Sequence, residues 1–194
     1  MKSSEAKLLA HLRRTLSPGR YRHTLAVARW AAVLARLHGV SDDKARRAGL
    51  LHDLAKEMPG PALARAVRLR RLAVPQKDEI LRRKLYGLLH AHVSADRARR
   101  EWGERDRSVL NAVARHTLGH PRMTRLDALL YVADYSSPDR RYAGAARVRR
   151  LASHSLEEAL RETVRGKLLH AAASGGYLHP AAVRLWNALP GSRP

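Results

Sequence analysis

Asp134 closes the run Leu129-Leu130-Tyr131-Val132-Ala133. An aspartate after such a run in a helix falls at core depth, where a bare carboxylate is unfavourable unless a cation stands beside it. Asp53 has the same setting after Gly49-Leu50-Leu51-His52. Imidazole and carboxylate together form the donor set of a borderline divalent transition metal such as Fe(II), Mn(II), Co(II) or Zn(II). The chain has eleven histidines in 194 residues, and four have settings that turn them inward. His23 lies just inside a helix in Arg20-Tyr21-Arg22-His23-Thr24, His52 precedes Asp53, His90 follows Leu88-Leu89, and His116 closes a helix containing Val109, Leu110 and Val113. Lys56 stands four residues after His52 and three after Asp53, which on a helix is the same face. It is either a cation for an anionic substrate or a solvated lysine favoured by the helix dipole in a last turn.

Helices position all of these residues, because the apolar spacing is 3.6-periodic along the chain and strand patterns are almost absent. Leu8, Leu9, Leu12 and Leu16 mark a first amphipathic helix that Ser17-Pro18-Gly19 stops. A second runs from about Tyr21 to His38 and ends at Gly39. Ser41 or Asp42 caps a third that buries Ala45, Ala48, Leu51 and Ala55 and ends before Pro59-Gly60-Pro61. Further helices are predicted near 61–73, 77–88, 92–102, 106–116, 124–135, 143–152 and 155–173, with a short last one reaching about Leu189. The reading is all-α: a single helical bundle with a metal site in its core. Residues 1–14 form an N-terminal helical extension and 15–188 the functional domain.

Composition narrows the chemistry. There is no cysteine, which excludes disulfides, thiolate metal sites and cysteine nucleophiles. The longest apolar runs, Trp30–Ala35 and Ala128–Ala133, are far too short to span a membrane. Met1–Ala10 has no apolar leader, so a cytoplasmic protein is expected. No glycine-rich phosphate loop is present, so this is not a P-loop nucleotidase. The 38 Lys and Arg outnumber 17 Asp and Glu, a net charge of +21. Pairs such as Arg46-Arg47, Arg70-Arg71, Arg99-Arg100 and Arg149-Arg150 recur along the whole chain instead of forming one stripe. That pattern attracts polyanionic small molecules in general and argues against a dedicated nucleic-acid surface.

The order His23, His52-Asp53, Asp134 resembles the H…HD…D signature of HD-domain metal-dependent phosphohydrolases. Longer strings make the likeness specific: Arg20-Tyr21-Arg22-His23-Thr24, Leu51-His52-Asp53-Leu54-Ala55-Lys56, Leu89-His90-Ala91, Ala114-Arg115-His116-Thr117 and Tyr131-Val132-Ala133-Asp134-Tyr135. With Pro138-Asp139-Arg140, His179-Pro180 and Asn187, they are similar in order to the YqeK family over about residues 15–188. The resemblance implies a symmetrical bis(5′-nucleosyl)-tetraphosphatase that cuts diadenosine tetraphosphate into two ADP molecules. It implies that His23, His52, Asp53 and Asp134 hold a divalent metal of the iron type, with Mn, Co or Zn as alternatives. His90 and His116 stand where dinuclear HD enzymes bind a second metal, but the family implies that they face phosphate. Arg20, Lys56, Thr117 and Arg140 complete the implied phosphate-binding surface, and Asp53, Lys56, His90 and His116 form the catalytic set. The chain departs from the family at Leu54, His92, His120 and Ser137, positions that bear on substrate preference and leave the metal set intact. The competing expectations are an HD phosphohydrolase of another nucleotide (guanosine tetraphosphate or a deoxynucleotide) and, from a different class, a basic nucleic-acid-binding helical module. The expected partners are a small dinucleoside polyphosphate and a second copy of the chain in a homodimer, with neither a membrane nor a specific nucleic acid.

Overall fold

Eleven helices and one 3-10 turn make up the secondary structure of the computed structural model, which describes residues 2–191; no strand occurs among them. In order they are α1 (Lys2–Thr15), α2 (Pro18–Leu37), α3 (Asp42–Leu51), α4 (Gly60–Leu69), α5 (Lys77–Arg82), the 3-10 turn (Tyr86–Leu89), α6 (His90–Glu101), α7 (Arg107–Arg115), α8 (Arg125–Ser136), α9 (Ala143–Ala152), α10 (Leu156–Ala173) and α11 (Pro180–Ala188). No described helix is long and apolar enough to cross a membrane.

Side-chain caps set most of the starts. The hydroxyls of Ser17, Ser41 and Ser155 accept from Arg20, Lys44 and Glu158 backbone N–H groups, and Asp106 caps α7 through Ser108 and Val109. Thr124 and Asp127 form a reciprocal capping box on α8. The second helix starts at Pro18, earlier than the sequence predicts. Its proline takes the first helical position, where a fixed φ helps and a missing N–H costs nothing.

Two apolar cores result. The larger joins α1, α2, α3, α7, α8, α9 and α10, with Leu12, Val27, Leu34, Leu129, Leu130 and Val164 fully buried. The smaller gathers Leu63, Val67, Ile80, Leu89, Val93 and Leu118 around α4, α5 and α6. Residues 52–57 cross the seam, since Leu54 packs in the larger core and Ala55 in the smaller.

Two sequence expectations need correction. The third helix does not run on to Ala55. It ends at Leu51, and 52–57 wind in tighter turns through Lys56 N–H to Asp53 C=O (3.0 Å) and Met58 N–H to Ala55 C=O (3.2 Å). Lys56 therefore does not share a helix face with His52; it aligns with Asp53 because residues three apart eclipse in a 3-10-like winding. The helix expected over 77–88 breaks in two. Lys84 adopts a left-handed φ of 57°, and Leu85 N–H closes back on Ile80 C=O at 2.9 Å, a left-handed C-terminal cap.

Candidate active site

Four imidazoles and two carboxylates meet at this seam. His52 and His116 stand at the C-caps of α3 and α7, and His90 opens α6 after the 3-10 turn. A helix end leaves carbonyls without backbone partners, and each of these rings uses one. His52 Nδ1 donates to Gly49 C=O (2.7 Å), His90 Nδ1 to Gly87 C=O (2.6 Å) and His116 Nδ1 to Val113 C=O (2.7 Å). A carbonyl only accepts, so Nδ1 carries a proton, and in the neutral ring each Nε2 offers a lone pair aimed inward. His23, in the body of α2, bonds instead through Nδ1 to Asp139 Oδ2 at 2.9 Å and turns Nε2 to Asp134 Oδ1 at 3.0 Å.

Asp53 stands between two sets of these donors. Its Oδ2 is 3.3 Å from His52 Nε2, and its Oδ1 is 3.3 Å from His90 Nε2 and 3.7 Å from His116 Nε2. His90 and His116 approach each other at 3.1 Å, Nε2 to Nε2. Asp134 Oδ1 is 4.0 Å from His52 Nε2, and its side chain is 18% exposed. It is thus at the wall of an opening and not, as the apolar run suggests, sealed in the core. Burial pushes the Asp53 carboxyl up, but the facing His52 and His90 outweigh it and hold it well below the ordinary carboxylate range. The same contest at Asp134 is won by His23, His52 and Lys167. For His116, burial and then the neighbouring His52 and His90 push the ring well down.

This set fits a divalent metal ion. His52 Nε2 is fully buried and has no hydrogen-bond partner, and lone pairs facing carboxylate oxygens repel one another unless a cation stands among them. Donor atoms bound about 2.1 Å from one ion lie roughly 3 Å apart, the scale of the spacings here. His23, His52 and Asp53 offer ligand atoms within 4.8 Å of one another, and so, as a second group, do Asp53, His90 and His116. The sequence leaves His90 and His116 between a second metal and phosphate, with the family implying phosphate; the geometry gathers them as a donor group around the other oxygen of Asp53.

A cavity of about 380 Å³ opens on the cluster. Asp53, Asp134, His116 and Thr117 form one part of its lining, and Arg20, Lys56, Arg140 and Lys167 the rest. Arg20 Nη1 donates to Asp53 Oδ2 at 3.0 Å, and Arg140 Nη2 is 3.6 Å from Asp134 Oδ1. Lys56 Nζ is 3.5 Å from His90 Nε2, and the Thr117 hydroxyl is 3.2 Å from both His90 and His116 Nε2. Glu57 holds the start of α2 against the 52–57 segment, accepting from Ser17 N–H at 2.6 Å, which keeps Arg20 beside Asp53. All ten site residues named from the sequence therefore converge. Lys167 and Asp139 were missed. Lys167 continues the apolar stripe Leu156, Leu160, Val164 of α10, a lysine where the stripe calls for leucine. It lies over the Tyr131 ring, 3.6 Å from its centroid, and donates to His116 C=O at 3.2 Å. Burial, partly opposed by Asp134, pushes its pKa down to about 8.

Comparison with known proteins accords with this geometry. Residues 20–139 match the HD domain family. The chain is 34% identical over 161 residues to a Bacillus subtilis protein named bis(5′-nucleosyl)-tetraphosphatase, symmetrical, covering 83% of this chain and 84% of the relative. A Halalkalibacterium halodurans protein of the same name is 30% identical over 96% of this chain and 97% of its own. A crystal structure of a predicted HD superfamily hydrolase involved in NAD metabolism from Clostridium acetobutylicum superposes with a TM-score of 0.90 at 31% identity, covering 97% of this chain and 98% of that one.

Proposed function

The chain belongs to the HD-domain family, on the branch of the symmetrical bis(5′-nucleosyl)-tetraphosphatases, and from that premise we propose that it hydrolyses diadenosine tetraphosphate to two ADP. Water adds to one of the two central phosphorus atoms, the central P–O–P bridge breaks, and the second ADP leaves as a stable anion. One observation carries the reading: a single cavity sets Arg20, Lys56, Arg140 and Lys167 beside a buried His/Asp donor set. His23, His52, Asp53 and Asp134 would hold the ion. Asp53 with His90 and His116 would hold a second, a reading favoured by the two lone pairs that meet at 3.1 Å. Iron is our choice of metal on the family resemblance, the mixed imidazole and carboxylate donors suiting Fe(II), Mn(II), Co(II) and Zn(II) alike. A divalent ion in such a site supplies Lewis acidity toward a phosphoryl oxygen and a water acidified toward neutrality.

The chain's own groups do the rest. Arg20, Lys56, Arg140 and Lys167 neutralise the polyphosphate and hold it with its central bridge over the donor set, so that both halves leave as diphosphates. Lys56 and Arg140 oppose the charge that builds on the transferring phosphoryl oxygens. With Nδ1 protons tied to carbonyls, His90 and His116 turn their Nε2 lone pairs toward Asp53 and each other, where they would serve as ligands of that second ion. The Thr117 hydroxyl, within reach of both rings, orients a water or a phosphate oxygen.

Product analysis with Mn(II) or Fe(II) across diadenosine tetraphosphate, guanosine tetraphosphate and deoxynucleoside triphosphates tests this. Two ADP per diadenosine tetraphosphate, with turnover fastest on that substrate, is the expected result. An ATP-plus-AMP product pair, or faster release from one of the other nucleotides, would overturn it.

A further inference from the structure

Three of the four inward imidazoles are locked by backbone carbonyls at their own helix ends, and His23 is not. It lies one turn inside α2, where main-chain carbonyls are committed to the helix ladder, so its Nδ1 needs an acceptor from elsewhere in the fold. Asp139, 116 residues away in sequence, supplies it at 2.9 Å. Ser137 Oγ is the other polar atom near that nitrogen, at 3.4 Å. The carboxylate is the nearer of the two and the charged one, and the turn that carries both is anchored. Arg140 N–H closes a turn on Ser137 C=O at 2.9 Å, and Arg149 spans that turn, donating to Ser136 C=O (2.9 Å), Ser137 C=O (3.0 Å) and Arg140 C=O (3.0 Å). The Asp139 side chain is 34% exposed, so its charge keeps some hydration.

We propose that Asp139 is the positioning carboxylate of His23, fixing the ring proton on Nδ1 and the ring orientation, so that Nε2 presents its lone pair, and making it the most strongly donating imidazole of the metal set. A charged acceptor on the far nitrogen raises the basicity of a ligating imidazole, and such partners typically govern metal affinity by 10–100-fold. A backbone carbonyl fixes the tautomer of His52, His90 and His116 without adding charge. Arg149 completes the chain of support from α9 through the 136–140 turn to Asp139 and His23, without touching the cavity.

This inference rests on the metal reading above, and the test separates the two. Metal-free wild-type protein, His23→Ala, Asp139→Asn and Asp139→Ala are titrated with Co(II), reading affinity by calorimetry and ligand environment from the visible absorption. His23→Ala sets the scale for loss of the ligand itself. Asp139→Ala is expected to bind about tenfold to a hundredfold more weakly than wild type. Asp139→Asn falls between them, because it keeps an acceptor and loses the charge. The melting temperature of the metal-free variants stays at the wild-type value, since Asp139 is exposed and packs in neither core. Affinity in both Asp139 variants within twofold of wild type, with His23→Ala weakened, overturns the positioning role alone. Failure of the wild-type protein to bind Co(II), or an unweakened His23→Ala, overturns the metal reading and this inference with it.

Discussion

Which ring nitrogen carries the proton decides whether a group of histidines binds a cation or merely satisfies itself. Here every Nδ1 faces an acceptor outside the cluster and every Nε2 faces inward. Removing Asp134 leaves His23 Nε2 without the carboxylate it faces at 3.0 Å. Elemental analysis of Asp134→Ala is therefore expected to show metal content well below wild type, and unchanged content would remove Asp134 from the donor set. The cavity lysines make the complementary case. Lys56→Ala should keep metal content and melting temperature and lose about a hundredfold in turnover, the scale of a lost transition-state donor. Lys167→Met, which preserves the apolar stem against Tyr131, should lose turnover without unfolding; a large stability loss with normal turnover in either variant would make that lysine structural. Asp53 and Asp134 are legible in the sequence because they close apolar runs, whereas His23, in a polar string, is legible only through the family motif. Lys167 carries the same signal in weaker form, one lysine on the stripe of α10. Asp139 could not be read that way, because its meaning is a contact across 116 residues.

Periodicity places the helices, yet it does not distinguish an α-helix that continues from one that ends in tighter turns. Ala48, Leu51 and Ala55 keep a three-to-four spacing through both, which is why α3 reads too long and why 77–88 reads as one helix. The early end matters for the site, since it frees Gly49 C=O to lock His52. Gly49 also lets α3 cross α2: a Cβ there would stand 2.6 Å from Ala28 Cα. Gly49→Ala must force the two helices apart, so a loss of about 1–3 kcal/mol in denaturant unfolding is expected, together with weaker metal binding through the displaced carbonyl. Normal metal affinity in a destabilised Gly49→Ala would separate the crossing from the site. At the start of α7, Asp106 caps Ser108 N–H at 2.8 Å and pairs with Lys44 of α3 at 2.8 Å. Lys44 and Ser108 hold its carboxyl well below the ordinary range. Because the folded-state pKa is depressed, its contribution is complete above the unfolded value of about 4 and is lost as pH falls below it. Asp106→Ala should therefore cost about 1 kcal/mol of unfolding free energy at pH 7. That difference should narrow on acidification below pH ~4; one that stays constant to lower pH would assign the loss to propensity alone.

At the scale of the whole molecule the sequence states the charge, +21, but not where it acts. Much of the arginine is spent locally, in pairs such as Arg97–Glu101, Arg100–Asp96 and Arg165–Glu162 along single helices. The cations that converge are those of the cavity, and they come from four separate segments of the fold: Arg20, Lys56, Arg140 and Lys167. The family motifs imply three of them, Arg20, Lys56 and Arg140, whereas periodicity and composition announce none, and Lys167 belongs to no motif. A distributed excess of positive charge with one concave focus raises the rate of encounter with a polyanion and leaves the bond-breaking step alone. At 0.1 M salt the field is screened beyond about 10 Å, whereas contacts inside the cavity act at 3–4 Å. Raising ionic strength should accordingly lower kcat/KM severalfold while kcat at saturating diadenosine tetraphosphate stays constant, as read from steady-state kinetics over a salt series. A parallel fall in kcat would place the salt-sensitive charges in the cavity and not in the surrounding field. Binding to duplex DNA or RNA should be weak, without sequence preference and steeply salt-dependent. A nanomolar, sequence-specific complex at physiological salt would instead require the scattered arginines to form one recognition surface, and the charge would then belong to a nucleic-acid partner before it belonged to the polyphosphate.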